Sequence, residues 1–175
     1  MPSEALLVVD FQNDFCVRPG RTARLTRVAA NIERALARAR KLGHEVIWIR
    51  FLGDRRKANM IERDRRQGKA KKCLAGTWGA GFFKLRPLAT EPIIDKPACF
   101  DAFLNPGLES RLKKKGVKRL TLAGVYLDVC VDATARTAFQ KGYFVRILKD
   151  CTDSLHYRKS DVLRFMAKYY GAEVA

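Results

Sequence analysis

Residues 5–9 (ALLVV) contain no polar side chain, and the run ends on Asp10. A strand of that composition is buried on both faces, as in the interior of a parallel sheet, so its carboxyl end carries an acid. Within residues 25–42 the apolar positions Val28, Ala29, Ile32, Ala35, Leu36 and Ala39 recur at helical spacing, and Gly43 follows as a stop. Residues 45–52 (EVIWIRFL) read as a second strand, completing a strand–helix–strand unit whose crossover favours parallel pairing. The alternation continues with a strand at 91–95, a helix at 106–115, a strand at 119–124, a helix at 130–141, a strand at 143–148 and a helix at 158–170. This order specifies a three-layer α/β/α sandwich around a mostly parallel, Rossmann-like sheet of five to six strands. No linker-like tract interrupts the 175 residues, so one domain spanning 1–175 is expected.

Charge narrows the partners. The formal net charge is +17, from 35 Lys and Arg against 18 Asp and Glu, and more than half of the cations are arginine. Such a surface attracts polyanions in a salt-dependent way, but no recognition motif is present, so specific nucleic-acid binding is not expected. Residues 50–72 hold ten Lys or Arg against three Asp or Glu, which leaves open a solvated excursion, a lid or a contact surface. Arg111, Lys113, Lys114, Lys115, Lys118 and Arg119 form a second basic run, read as an exposed helix end. Apolar runs reach strand length only, so no membrane partner is expected; residues 1–15 lack the basic start of a signal peptide, and a cytoplasmic location follows as an expectation. Five cysteines at irregular spacings, without C-x-x-C and with two histidines, argue against a disulfide framework or a zinc site.

In open parallel sheets the ligand crevice lies beyond the carboxyl ends of the strands. Three reactive groups are expected there: Asp10 after the first strand, Lys96 after the third, and Cys130 at the start of the helix after the fourth. A cysteine in the first turn of a helix has its thiolate favoured by the dipole, and a nearby ammonium adds to this. A carboxylate beside it can take the thiol proton and later activate water. Each group also has a plain structural explanation: a turn cap, a surface lysine, a buried small hydrophobe. Cys16 and Cys73 fall in expected loops, whereas Cys99 and Cys151 fall near the same rim and stay in contention.

Four blocks, VVDFQNDFC (8–16), CLAGTWGAGF (73–82), IIDKPACFDAF (93–103) and GVYLDVCVDATARTAFQKGYFVRILKDCTDS (124–154), resemble the isochorismatase-like cysteine hydrolases, a superfamily that includes nicotinamidases and N-carbamoylsarcosine amidase. The resemblance implies an Asp10, Lys96 and Cys130 triad and a non-proline cis peptide at Val125–Tyr126. It also implies an oxyanion hole from the backbone N–H groups of Tyr126 and Cys130. The activity implied is hydrolysis of a C–N bond in a small amide or carbamoyl substrate through a thioester. Isochorismatase-type vinyl-ether hydrolysis, which uses no cysteine nucleophile, and a catalytically idle basic binding protein on the same fold are the alternatives.

One departure bears on cofactors. Nicotinamidases of this family hold a metal with an Asp-x-His motif after the second strand and a His before the Cys-x-x-Gly-Thr block. Here the corresponding residues are Asp54-Arg55-Arg56 and Lys72. No catalytic metal and no other cofactor are therefore expected. Arg55, Arg56, Lys57 and Lys72 put positive charge in place of the metal ligands, and this charge either faces water or pairs with a substrate carboxylate, which leaves an anionic substrate as one open expectation. Phe15 and Trp78, inside the motif blocks, are the preferred pocket walls over Phe83 and Tyr126. A homo-oligomer is expected from the resemblance alone.

Overall fold

The computed structural model describes residues 3–53, 72–97 and 99–175. Arg55, Arg56 and Lys57, with most of the basic excursion, lie outside the described residues. Six strands form one sheet: β1 (Glu4–Val9), β2 (Glu45–Leu52), β3 (Ile93–Pro97), β4 (Arg119–Val125), β5 (Phe144–Asp153) and β6 (Glu173–Val174), in the order β3-β2-β1-β4-β5-β6. Every neighbouring pair is parallel. The helices are α1 (Asn13–Cys16), α2 (Thr22–Lys41), α3 (Pro106–Lys114), α4 (Asp132–Gln140) and α5 (Lys159–Tyr170).

The apolar run of β1 serves two cores, because alternate residues of a strand point to opposite faces. Leu6 and Val8 pack beneath α2 with Leu25, Val28, Ile32 and Leu36. Ala5, Leu7 and Val9 face Leu108 and Leu112 of α3, Ala135 and Ala138 of α4, and Leu163 and Met166 of α5. One helix thus covers one face and three cover the other, which is the expected three-layer sandwich. Each fully buried Leu or Ile in these stripes contributes roughly 1.5–3 kcal/mol.

Four local expectations need correction. Lys96 lies inside β3, two residues later in register than expected, because β3 pairs with β2 from Trp48–Ile93 through Leu52–Pro97. Cys151 lies within β5, which runs five residues past 148 by resuming its pairing with β4 at Gly124–Thr152 after a register shift. Cys16 ends the short helix α1, closed by hydrogen bonds from the Phe15 and Cys16 N–H groups to Gln12 O. The segment expected as a helix from residue 130 is divided. Leu127–Val131 forms one wide π-helical turn, with Val131 N–H donating to Tyr126 O at 3.1 Å, and α4 starts at Asp132.

Candidate active site

The strand order reverses between β1 and β4, and in open α/β sheets that is where a crevice opens. Asp10 follows β1, and Cys130 lies in the turn after β4. The backbone of Asp10 is left-handed, with φ +48°, a region that Asp tolerates better than most residues. Its N–H donates to Ile49 O at 3.0 Å and its C=O accepts from Gln12 N–H at 2.7 Å, which pins the turn against β2.

Lys96 reaches in from β3, and its Nζ stands 2.8 Å from Asp10 Oδ2 with both side chains wholly buried. The ammonium also donates to the carbonyl oxygens of Cys99 and of Phe100, the latter at 2.9 Å, and lies 5.3 Å from the centre of the Phe51 ring. Two carbonyls and a carboxylate therefore fix the charge in place. The Cys130 side chain lies close enough to this pair for both charges to act on its thiol. Neither Asp10 oxygen has a well-directed hydrogen bond, so lone pairs remain free to take a proton.

Burial dominates the electrostatics. It pushes the Asp10 carboxyl up from its ordinary value, with Lys96 pulling the other way. Desolvation alone would lower Lys96, but the Asp10 charge outweighs it and the net shift is upward. Cys130 is raised well above an ordinary thiol, first by burial and then by the Asp10 charge. This reverses the expected thiolate: Cys130 sits in a buried π turn beside a carboxylate, not in the exposed first turn of an α-helix. Burial thus disfavours a free thiolate, and a carboxyl of raised pKa is better matched to taking a thiol proton near neutrality than an ordinary one.

Gly124 sets the separation of the two strands that carry these groups. Its φ is +112°, and a Cβ there would lie 2.0 Å from Val9 O and 2.6 Å from Val9 N. Any side chain at this position would push β4 away from β1 beside Asp10. The peptide Val125–Tyr126 that follows is cis. The Tyr126 ring is largely buried, and its hydroxyl donates to Phe15 O.

The motif blocks also contain braces that the sequence pattern does not mark as functional. Gln12 is buried; its Nε2 donates to Phe51 O at 3.0 Å and Ala80 O at 2.9 Å, and its Oε1 accepts from Phe51 N–H at 2.9 Å. Asn13 Nδ2 donates to Trp78 O at 2.7 Å, and Asp14 Oδ2 accepts from Cys73 N–H at 2.6 Å. These three consecutive side chains tie the 8–16 block to the 73–82 block. Their unbroken polarity suits a surface turn equally well, so it does not by itself mark them as braces. Asp128 does similar work after β4, accepting from the N–H groups of Leu155, His156 and Tyr157.

The expected pocket walls divide. Phe15 is half-buried and meets Phe51 edge-on at 5.4 Å, one ring removed from Lys96, whereas Trp78 is 66% exposed. Phe83 and Tyr126 belong to the core on the α2 side. Cys99 contributes its carbonyl to Lys96, and its thiol is raised chiefly by burial. Lys72 is exposed.

Among the described residues, no group of three or more His, Cys, Asp or Glu side chains is placed to hold a metal ion. His44 stands before β2, about 20 Å of strand away from the Asp10 rim, and its Nδ1 lies 4.0 Å from Glu4. His156 is exposed, and its N–H is bound to Asp128. These donors do not fit a catalytic metal, and Asp54 lies outside the described residues.

A family model for the isochorismatase domain matches residues 4–175. The chain belongs to the isochorismatase family. Among curated relatives, the ureidoacrylate amidohydrolase of Yersinia enterocolitica is 30% identical over 173 residues, covering 86% of this chain and 75% of that one. The crystal structure of N-carbamoylsarcosine amidase from Thermoplasma acidophilum matches with TM-score 0.87 at 21% identity, covering 98% of this chain and 95% of that one. Pyrazinamidase of Pyrococcus horikoshii, solved in complex with zinc, matches with TM-score 0.85 at 26% identity over 99% of both chains. The family sheet, six parallel strands with helices on both faces, is the one described above.

Proposed function

We propose that this isochorismatase-family chain is an amidohydrolase that cleaves the C–N bond of a small amide or carbamoyl compound, with Cys130 as nucleophile. The observation that carries the reading is the wholly buried Asp10–Lys96 pair lying against a thiol at the strand switch point. Asp10 takes the Cys130 proton as Sγ attacks the carbonyl carbon, so the thiolate exists only as the new bond forms. The developing oxyanion is met by the N–H groups of Tyr126 and Cys130. Asp10 then returns the proton to the nitrogen, the C–N bond breaks, and ammonia or an amine leaves a thioester. Water attacks that thioester while losing a proton to Asp10, and the departing sulfur takes the proton back. Lys96 keeps its charge throughout and holds Asp10 in place.

A ureido acid is the favoured substrate class. The similarity to ureidoacrylate amidohydrolases supports a carbamoyl carbonyl beside a carboxylate, and the strongly cationic surface suits an anionic ligand. The test is a panel of primary amides and ureido acids, followed by ammonia or amine release. Cys130→Ala should abolish turnover, and hydroxylamine should divert acyl groups to hydroxamates in the wild type. Hydrolysis that survives Cys130→Ala would overturn the nucleophile assignment.

A further inference from the structure

The outer face of α2 carries a basic row that the hydrolytic reading does not use. At 3.6 residues per turn, Lys41, Arg34, Arg27, Arg38 and Arg24 fall within about 100° of arc along roughly 26 Å of helix axis. Exposed alanines, Ala23, Ala30 and Ala37, flank the row and leave it flat. The opposite face, with Leu25, Val28, Ile32 and Leu36, is buried on the sheet, so the charged face looks outward.

These cations differ from those at the start of the strands. There, Arg111 and Lys115 converge on Glu45, and Lys113 and Lys141 on Glu109. On α2, Arg24 is paired with Asp153 at 2.8 Å and Arg34 donates to the Asn31 side chain. Among the described residues, Arg27, Arg34, Arg38 and Lys41 form no ion pair. The acids nearby are Glu33, about 80° around the helix from the edge of the row, and Asp150, whose carbonyl accepts from Asn31 Nδ2 at 2.7 Å.

We propose that this face binds the sugar–phosphate backbone of double-stranded nucleic acid without reading its sequence. A straight row of guanidinium forks matches phosphate oxygens on a stiff rod, and 26 Å of duplex presents about 15 phosphate charges. The face has no aromatic ring on which to stack the bases of a single strand. Its apolar stripe is already buried on the sheet, so nothing remains to enter a membrane. Asn31, its one amide, is engaged by Asp150, so no free Asn or Gln is available for an adenine edge, and the guanidinium forks are left to the phosphates.

The test is fluorescence anisotropy with a labelled 24-base-pair DNA duplex at 50 to 200 mM salt. Four phosphate contacts give a slope of log K against log salt of about −3.6. Combining Arg27→Ala, Arg34→Ala and Arg38→Ala should make that slope shallower by about 2.7 and weaken binding at low salt at least tenfold. Combining Lys114→Ala, Lys118→Ala and Lys168→Ala removes the same charge elsewhere and should leave the slope steep. Thermal melts of both triple variants verify folding. Equal losses from the two triple variants would make net charge the cause and overturn the proposal. So would no duplex binding by the wild type at 50 mM salt, or equal affinity for a single strand or for anionic vesicles.

Discussion

The two ends of the sheet use the same chemical groups to opposite effect. Where the strands begin, Glu4 gathers Arg119 and Arg146, Glu45 gathers Arg111 and Lys115, and Glu109 gathers Lys113 and Lys141, all with some access to water. Glu109 is lowered from its usual value by its hydrogen-bonded lysines. Where the strands end, Asp10 also has a lysine at 2.8 Å, yet burial drives it upward. For these two carboxyls the sign of the shift follows the solvent that was removed, whereas for Lys96 the partner's charge prevails. Exposed pairs gain little and are screened, whereas a buried pair is costly to break because the survivor is left charged in a poor solvent.

Breaking a pair at each end should therefore give very unequal results. Lys96→Met leaves the Asp10 carboxylate buried without its counter-charge and is expected to cost about 3–5 kcal/mol of stability. It should also reduce hydrolysis to near background. Lys113→Met, at the other end, should leave denaturant midpoint and turnover close to wild type. Cys130→Ala separates chemistry from folding: it should lower turnover by about 10⁴-fold or more while the midpoint moves little. If Lys96→Met were as mild as Lys113→Met, burial would not be what distinguishes the two ends.

Two glycines sharpen the comparison on the backbone. Gly116 precedes β4 with φ +62° and open space around it, so Gly116→Ala should cost about 1–2 kcal/mol from the left-handed conformation alone. Gly124 has φ +112° and the Val9 backbone 2.0 Å from where a Cβ would sit. Gly124→Ala should cost about 3 kcal/mol or more, since two strand backbones must separate. It should also lower turnover, because Val9 precedes Asp10. Urea titrations of both variants measure the difference, and equal costs would mean that the β1–β4 approach tolerates adjustment.

The sequence reported the layers more faithfully than the site. Period-2 and period-3.6 patterns are statements about burial, so β1, α2 and β2 could be read residue by residue from their apolar positions. The convergence of Asp10, Lys96 and Cys130 was legible because each stands near a strand's carboxyl end, a place that parallel topology makes common to all three. The state of the thiol was not legible, since it depends on how much water the assembled rim excludes, and no local pattern encodes that. Gln12, Asn13 and Asp14 were hidden for a related reason. Their partners are backbone N–H and C=O groups of 51, 73, 78 and 80, and a backbone partner leaves no mark on residue identity.

The acid limb of the pH–rate profile is a smaller effect with a definite sign. In the proposed mechanism Asp10 must be ionised to accept the thiol proton, so turnover should fall as the pH drops through its pKa. Burial raises that pKa, and the midpoint of kcat/KM should lie above the ordinary aspartate value of 3.8. A midpoint at or below 3.8 would mean that Lys96 outweighs desolvation at the rim. The profile of the wild type on its best amide substrate, checked against a stable fold over the same range, decides it.

The smallest effect is expected at the opposite end. The pKa of Glu109 is lowered in the folded chain by Lys113 and Lys141, so the unfolded chain binds the proton more readily. Its contribution to stability is present above the unfolded value and is lost as the pH falls through the lower, folded one. Water screens both pairs, so the melting temperature of Glu109→Gln should differ only slightly from wild type at neutral pH. That difference should vanish on acidification, when the wild-type carboxyl is itself neutral. A large neutral-pH loss would show that the basic run at 111–119 depends on Glu109 to hold its helix end against self-repulsion, and the contrast between the two ends of the sheet would then be one of degree.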